Sequence, residues 1–183
     1  MPDCIAHIET LFLAQGQKSY AGEGVSQLAH ALQSGQQALA AGATESLVVA
    51  AFLHDLGHML NDEGETPTLR GVDDHHEIWA ADFLAEHFPL SVSEPVRLHV
   101  AAKRALCAIQ PHYIEKLSED SVRSLNLQGG PMSQQELERF FQSDFAEDAI
   151  LVRAWDDQAK SPNTRTPSIQ SFLDLCERIL RYR

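Results

Sequence analysis

Four histidines and two aspartates punctuate this chain at intervals that suit helices: His30, the pair His54-Asp55, His76, His99 and Asp156. The gaps of 24, 21, 23 and 57 residues are, for the first three, roughly one helix plus a connection. Helices that each push one or two such side chains inward would gather them into a two-metal site in the core of a bundle. That pattern limits the chain to a fold in which successive helices converge on one point.

Apolar periodicity agrees with an all-α bundle. A first helix is expected from about Asp3 to Ala14 with Ile5, Ile8, Phe12 and Leu13 inward, followed by a loop over Gly16 to Glu23. A second helix runs to about Ala41 and is closed by Gly42. Thr44-Glu45 then opens a third, Leu47 to about Leu60, apolar nearly all round and therefore central. Asn61 to Val72 carries Gly64, Pro67 and Gly71 among acidic residues and reads as an exposed loop or lid. Further helices are expected at Asp74 to His87 and Val92 to Leu106, separated by Phe88-Pro89, and at about Phe145 to Ala159 and Ile169 to Tyr182. Asn126 to Pro131 is turn-rich, Ser133-Gln134-Gln135-Glu136 reads as a capping box, and Ser161 to Pro167 as a polar connection.

At 183 residues the chain suits a single domain with a sizeable core. Three cysteines without paired spacing, Cys4, Cys107 and Cys176, argue against a disulfide framework and for a reducing cytoplasm. Met1-Pro2-Asp3-Cys4 lacks the basic and apolar regions of a secretory signal, and no apolar run suggests a membrane span. A formal charge of −12 excludes a broad basic surface for nucleic acid. It leaves room for a small anionic substrate, because bound cations and a few local Lys or Arg residues set the field inside a pocket.

Within one continuous helix His54 and His58, four residues apart, would share a face, with Asp55 about 100° around from His54. A carboxylate there can bridge two metals. Six mixed imidazole and carboxylate ligands with open positions favour iron or manganese over a closed structural zinc site. His7, His87 and His112 read as ordinary surface or loop histidines, while spacing alone does not choose between His75 and His76.

The order His30, His54-Asp55, His76 within Asp74-His75-His76-Glu77, His99 and Trp155-Asp156-Asp157 resembles the HD-domain superfamily. More narrowly it is similar to the mixed-valent di-iron oxygenases of that superfamily, the group containing myo-inositol oxygenase and the PhnZ-type phosphonate oxygenases. The resemblance runs from Tyr20 to Lys160 and implies one HD domain across residues 1–183. It implies two iron ions as an Fe(II)/Fe(III) pair: one held by His30, His54 and Asp156, the other by His76 and His99, with Asp55 bridging. It selects His76 over His75 and Asp156 over Asp157.

Tyr20-Ala21-Gly22-Glu23 resembles the Tyr-x-x-Glu element of the PhnZ-type enzymes. The likeness implies a tyrosine that occupies an iron position until substrate arrives and a glutamate that meets the substrate's ammonium group. Lys103 lies four residues after His99 and Arg153 three before Asp156, each on its ligand's helical face. By resemblance His58 and Lys103 contact the phosphonate, with Ser121 and Arg153 adding contacts, so that Tyr20, Glu23, His58 and Lys103 carry the catalytic roles. The implied reaction is cleavage by O2 of the C–P bond of a 1-hydroxy-2-aminoethylphosphonate or its N-methylated analogue, giving phosphate and glycine or the N-methylated amino acid. The rival is a dinuclear HD-domain phosphohydrolase acting on a small phosphate ester, favoured by superfamily frequency and opposed by Tyr20 and Glu23.

Overall fold

The computed structural model describes residues 4–61, 63, 64 and 66–180. These form α1 (Cys4–Gln15), α2 (Gln27–Ala40), α3 (Glu45–Leu53), α4 (Gly57–Leu60), α5 (His76–Ala85), α6 (Leu90–Ile109), α7 (Glu119–Leu127), α8 (Gln134–Phe140), α9 (Ala146–Gln158) and α10 (Ile169–Leu180). Two 3₁₀ turns, Pro67–Arg70 and Ile114–Lys116, complete the regular structure, and no strand occurs among the described residues. The expected helix start at Asp3 and end at Tyr182 lie outside the described residues.

α3 is the axis of the bundle. All seven residues from Leu47 to Leu53 are buried, and α3 packs against α2, α6, α9 and α10. Phe52 at its centre stacks on Phe12 of α1 at 5.1 Å and on Phe172 of α10 at 4.8 Å, so one aromatic column ties the first and last helices to the middle one. Helix starts follow local chemistry. Ser26, Thr44, Ser118 and Ser133 each accept a backbone N–H of the first turn, and Ser133 with Glu136 makes the expected capping box.

Three expectations are corrected. Leu13, placed inward, is 76 % exposed, because the buried stripe of α1 runs through Ile8 and Phe12 and Leu13 lies a step around from it. α7 was not expected at all: its residues are mostly polar and it buries only Leu125, so few apolar positions mark it. The helix expected over 47–60 is two helices. After Leu53 the hydrogen bonds tighten to the i→i−3 spacing, from Leu56 N–H to Leu53 O (3.0 Å) and His58 N–H to Asp55 O (3.1 Å). Such a turn advances about 120° per residue where an α-helix advances about 100°. His58 is thereby rotated away from His54 and stacks on His76, with ring centroids 4.0 Å apart.

Candidate metal centre and its cavity

The six candidate ligands come from five parts of the bundle. His30 lies in the first turn of α2, His54 and Asp55 in the tight turn after α3, His76 at the first position of α5, His99 in mid-α6 and Asp156 near the end of α9. All are buried except His76, whose side chain is 13 % exposed.

Hydrogen bonds fix how the imidazoles face. Nδ1 of His30 lies 3.0 Å from the Ala159 carbonyl, that of His54 2.8 Å from Ala51 O, and that of His99 2.7 Å from Val96 O. Nδ1 of His76 lies 2.9 Å from Asp74 Oδ1. Carbonyls and carboxylates only accept, so each Nδ1 donates, and each ring in its neutral form turns a bare Nε2 lone pair inward. These Nε2 atoms come in facing pairs, His30 with His54 at 3.3 Å and His76 with His99 at 3.1 Å.

Two lone pairs aimed at each other repel unless a cation lies between them. Nitrogens that bind one ion at about 2.1 Å and roughly 90–110° stand about 3.0–3.4 Å apart, the separation found in both pairs. Asp55 lies between the pairs. Its Oδ2 is 3.3 Å from His30 Nε2 and 3.2 Å from His54 Nε2; its Oδ1 is 3.3 Å from His76 Nε2 and 3.5 Å from His99 Nε2. Oδ2 is buried with no hydrogen-bond donor, although polar neighbours surround it. Asp156 Oδ1 lies 3.4 Å from His30 Nε2. The donors thus divide into two groups, His30, His54, Asp55 and Asp156, and Asp55, His76 and His99, with the ligand atoms of each group within 4.8 Å of one another. This donor set fits two cations sharing Asp55.

The electrostatics favour cations as well. Burial alone would raise the Asp55 carboxyl, but the imidazoles around it, His54 first and then His30 and His76, hold it well below the usual carboxylate range. Asp156 is likewise held well below that range, burial being outweighed first by Arg153. Burial would depress His54, yet Asp55 and Asp156 together lift it to about 10.

A cavity opens onto this cluster, lined by Tyr20, His58, Lys103, Ser121, Ser124 and Arg153 among others. Lys103 and Arg153 are buried (2 % and 4 % exposed), so their charges face the cavity and not bulk solvent. Lys103 Nζ donates to Ser124 Oγ at 2.7 Å. Burial, and then the Arg153 charge, push its amine down to about 8. Arg153 is held by Asp156 (2.6 Å), by Asp157, and by Tyr113 OH at 3.4 Å, and its Nη2 lies 3.5 Å from Ser121 Oγ. Tyr20 lies flat on the His30 ring at 3.8 Å, its hydroxyl 3.4 Å from Asp156 Oδ1. Glu23 is placed differently: it lines an adjoining hollow with Ala21, Asp120 and Arg123, and its Oε1 is 3.6 Å from Lys160 Nζ.

His75, 65 % exposed, faces Asp73 and stands away from the cluster, with its backbone left-handed at φ 50°. Four supporting residues were not expected from the sequence: Asp74, which holds His76 at 2.9 Å and His58 Nδ1 at 2.7 Å, Tyr113 and Asp157, which hold Arg153, and Ser124, which receives Lys103. The available signal was adjacency to ligands already chosen, in Asp74-His75-His76 and Asp156-Asp157.

A helical bundle with this His/Asp order is the architecture of an HD-domain protein, and the HD domain family matches residues 24–156; the chain belongs to it. Within that family it groups with phosphonate dioxygenases. It is 42 % identical to the hydroxymethylphosphonate dioxygenase of Gimesia maris over 156 residues, 85 % of this chain and 78 % of the relative. It is 36 % identical to the glycine-betaine-forming 1-hydroxy-2-(trimethylamino)ethylphosphonate dioxygenase of Leisingera caerulea over 176 residues, 96 % of this chain and 90 % of the relative. Among the described residues no helix is long and apolar enough to cross a membrane.

Proposed function

We propose that this protein is an iron-dependent dioxygenase that cleaves the C–P bond of a small 1-hydroxyalkylphosphonate, a 1-hydroxy-2-aminoethylphosphonate or its N-methylated analogue being the substrate that the Tyr20–Glu23 element favours. One O2 supplies one oxygen atom to each product: the carbon end leaves as a carboxylic acid and the phosphorus end as phosphate. The observation that carries this proposal is the pair of facing Nε2 couples with Asp55 between them, beside a buried Lys103, in an HD-domain chain whose relatives are named phosphonate dioxygenases.

Iron held by His30, His54 and Asp156, and by His76 and His99 with Asp55 shared, would supply the one-electron chemistry toward O2 that this oxidation needs. The remaining side chains bind and orient. Lys103 and His58 receive phosphonate oxygens, while Ser121 and the fixed Arg153 guanidinium close the far side of the anion site. Asp74 accepts from Nδ1 of His58, so the ring presents its Nε2 to the cavity. Tyr20, lying on His30, covers the metal ligands until a substrate displaces it, and Glu23 pairs with the substrate's ammonium.

The test begins with metal-free protein loaded with Fe(II) under nitrogen and then given limited O2. A coupled Fe(II)/Fe(III) signal is expected by electron paramagnetic resonance, and hydroxylated aminoethylphosphonate should then drive O2 uptake equal to phosphate release. Turnover of a phosphate ester under nitrogen, with no oxygen consumed, would overturn the proposal in favour of a hydrolase.

Lys103 adds a pH dependence. With its amine at about 8, it is charged below that pH and neutral above it. Affinity for the phosphonate should therefore be full below about pH 8 and fall roughly tenfold per unit above it. Fold stability runs the other way. The native state binds fewer protons at Lys103 than the unfolded chain between about 8 and the ordinary 10.5, so this group's contribution to stability rises with pH across that window. A kcat/KM that declines above pH 8 while the melting temperature does not follow it is the expected pair of results. A flat kcat/KM to pH 10 would remove Lys103 from the anion site.

A further inference from the structure

Glu23 already has an ammonium partner, supplied by the chain itself. Lys160 Nζ is 3.6 Å from Glu23 Oε1 and 5.9 Å from the centroid of the Tyr20 ring, and it donates to Ser118 Oγ at 3.3 Å. Both side chains of the ion pair are largely enclosed, with Lys160 16 % and Glu23 17 % exposed. A carboxylate beside an aromatic face is the pairing that recognises alkylammonium groups in general. The location is also right for the far end of a substrate. Tyr20 lines the cavity over the metal cluster, Glu23 lines the adjoining hollow, and Ala21 belongs to the walls of both.

We propose that the Lys160 side chain is a built-in ammonium that holds Glu23 and Tyr20 in place of a substrate's cation, and so sets how strongly the protein discriminates between hydroxyphosphonates with and without a cationic end. This rests on the function proposed above. A substrate bearing an ammonium must displace Lys160 from Glu23, whereas hydroxymethylphosphonate, which has no cationic end, leaves the pair intact. Lys160 also links the turn carrying Tyr20 and Glu23 to the N-terminal cap of α7, so this competition occurs at the junction of the two segments. A partly enclosed ion pair of this length accounts for a modest factor, about fivefold, in the ratio of the two affinities.

The experiment measures binding with no turnover. Fe(II)-loaded protein is titrated under nitrogen, by calorimetry, with hydroxymethylphosphonate and with 1-hydroxy-2-(trimethylamino)ethylphosphonate. Lys160→Met should shift the ratio of the two Kd values about fivefold in favour of the trimethylamino compound. Lys160→Arg, which keeps the cation, should hold the ratio within twofold of the wild type. In a Glu23→Gln background the shift should vanish, since the pair to be displaced is gone. Iron content and melting temperature accompany each variant, and Lys160→Gln replaces Lys160→Met if the latter does not fold. A ratio unmoved by Lys160→Met while both phosphonates bind, or a shift that persists in Glu23→Gln, overturns the role of Lys160 and leaves the function standing. Failure of both compounds to bind the wild type overturns the function itself.

Discussion

Asp55→Asn is expected to empty both halves of the metal centre and lower kcat/KM by about three orders of magnitude or more. Among the described residues Asp55 alone is common to both ligand groups, with its Oδ2 facing His30 and His54 and its Oδ1 facing His76 and His99. Asparagine preserves the shape but removes the negative charge and turns an NH2 toward Nε2 lone pairs. Changes to groups that merely support ligands typically cost 10–100-fold in metal affinity, so loss of a shared ligand should cost more. The informative comparison is Asp156→Asn. Asp156 belongs only to the group with His30 and His54, so that variant should lose one metal and keep the other. Metal content by elemental analysis should run from about two per chain in the wild type, to about one in Asp156→Asn, to near zero in Asp55→Asn. Retention of two metals by Asp55→Asn would rule out the bridging arrangement.

The second large effect comes from a residue with no chemistry of its own. Gly57, at the start of α4, lies against the first residue of α5. A Cβ placed there would sit 1.9 Å from the His76 carbonyl oxygen and 2.6 Å from its carbonyl carbon. Neither contact is the end of a flexible side chain, so Gly57→Ala must push α4 and α5 apart by more than about 1 Å, given ordinary contact distances near 3.5 Å. Overpacking of this kind costs about 1–3 kcal/mol and sometimes more, and His76 moves with the backbone. Ligand geometry tolerates about 0.5 Å, so the metal on the His76 and His99 side should be lost first. Melting temperature should fall by roughly 5–10 °C. Gly42→Ala is the control. Its φ of +70° carries a left-handed penalty of about 1–2 kcal/mol, but nothing lies within 4 Å of the added atom, so it should destabilise without disturbing metal content. Equal metal loss in the two variants would show that the effect is general instability.

The chain announces its candidate ligands because histidines are few and chemically distinct, and because its central helix is apolar all round. What it conceals is rotation and proximity. Nothing in the string from Leu53 to His58 shows that the helix tightens there, so His58 read as a companion of His54 when it stacks on His76. α7 was missed because its residues are mostly polar and half-exposed, although Ser118 followed by Glu119-Asp120 is a helix-start signal that could have been weighed. Tyr113, 40 residues from Arg153, becomes a partner only through the packing of α6 and the turn after it against α9. The resemblance implies an ammonium-binding role for Glu23, but the pairing of Glu23 with Lys160, far along the chain, was not legible.

The ring of His30 takes its orientation from the Ala159 carbonyl, 129 residues further along. One ligand group, Asp55, His76 and His99, is complete once α6 has been synthesised, whereas the other awaits Asp156 and the peptide that follows α9. A domain generally folds as a unit, however, and α2, α3 and α6 all pack against α9, so both pockets await that late helix. A chain that stops short of α9 would lack both Asp156 and the carbonyl that turns His30, and with them one side of the candidate centre.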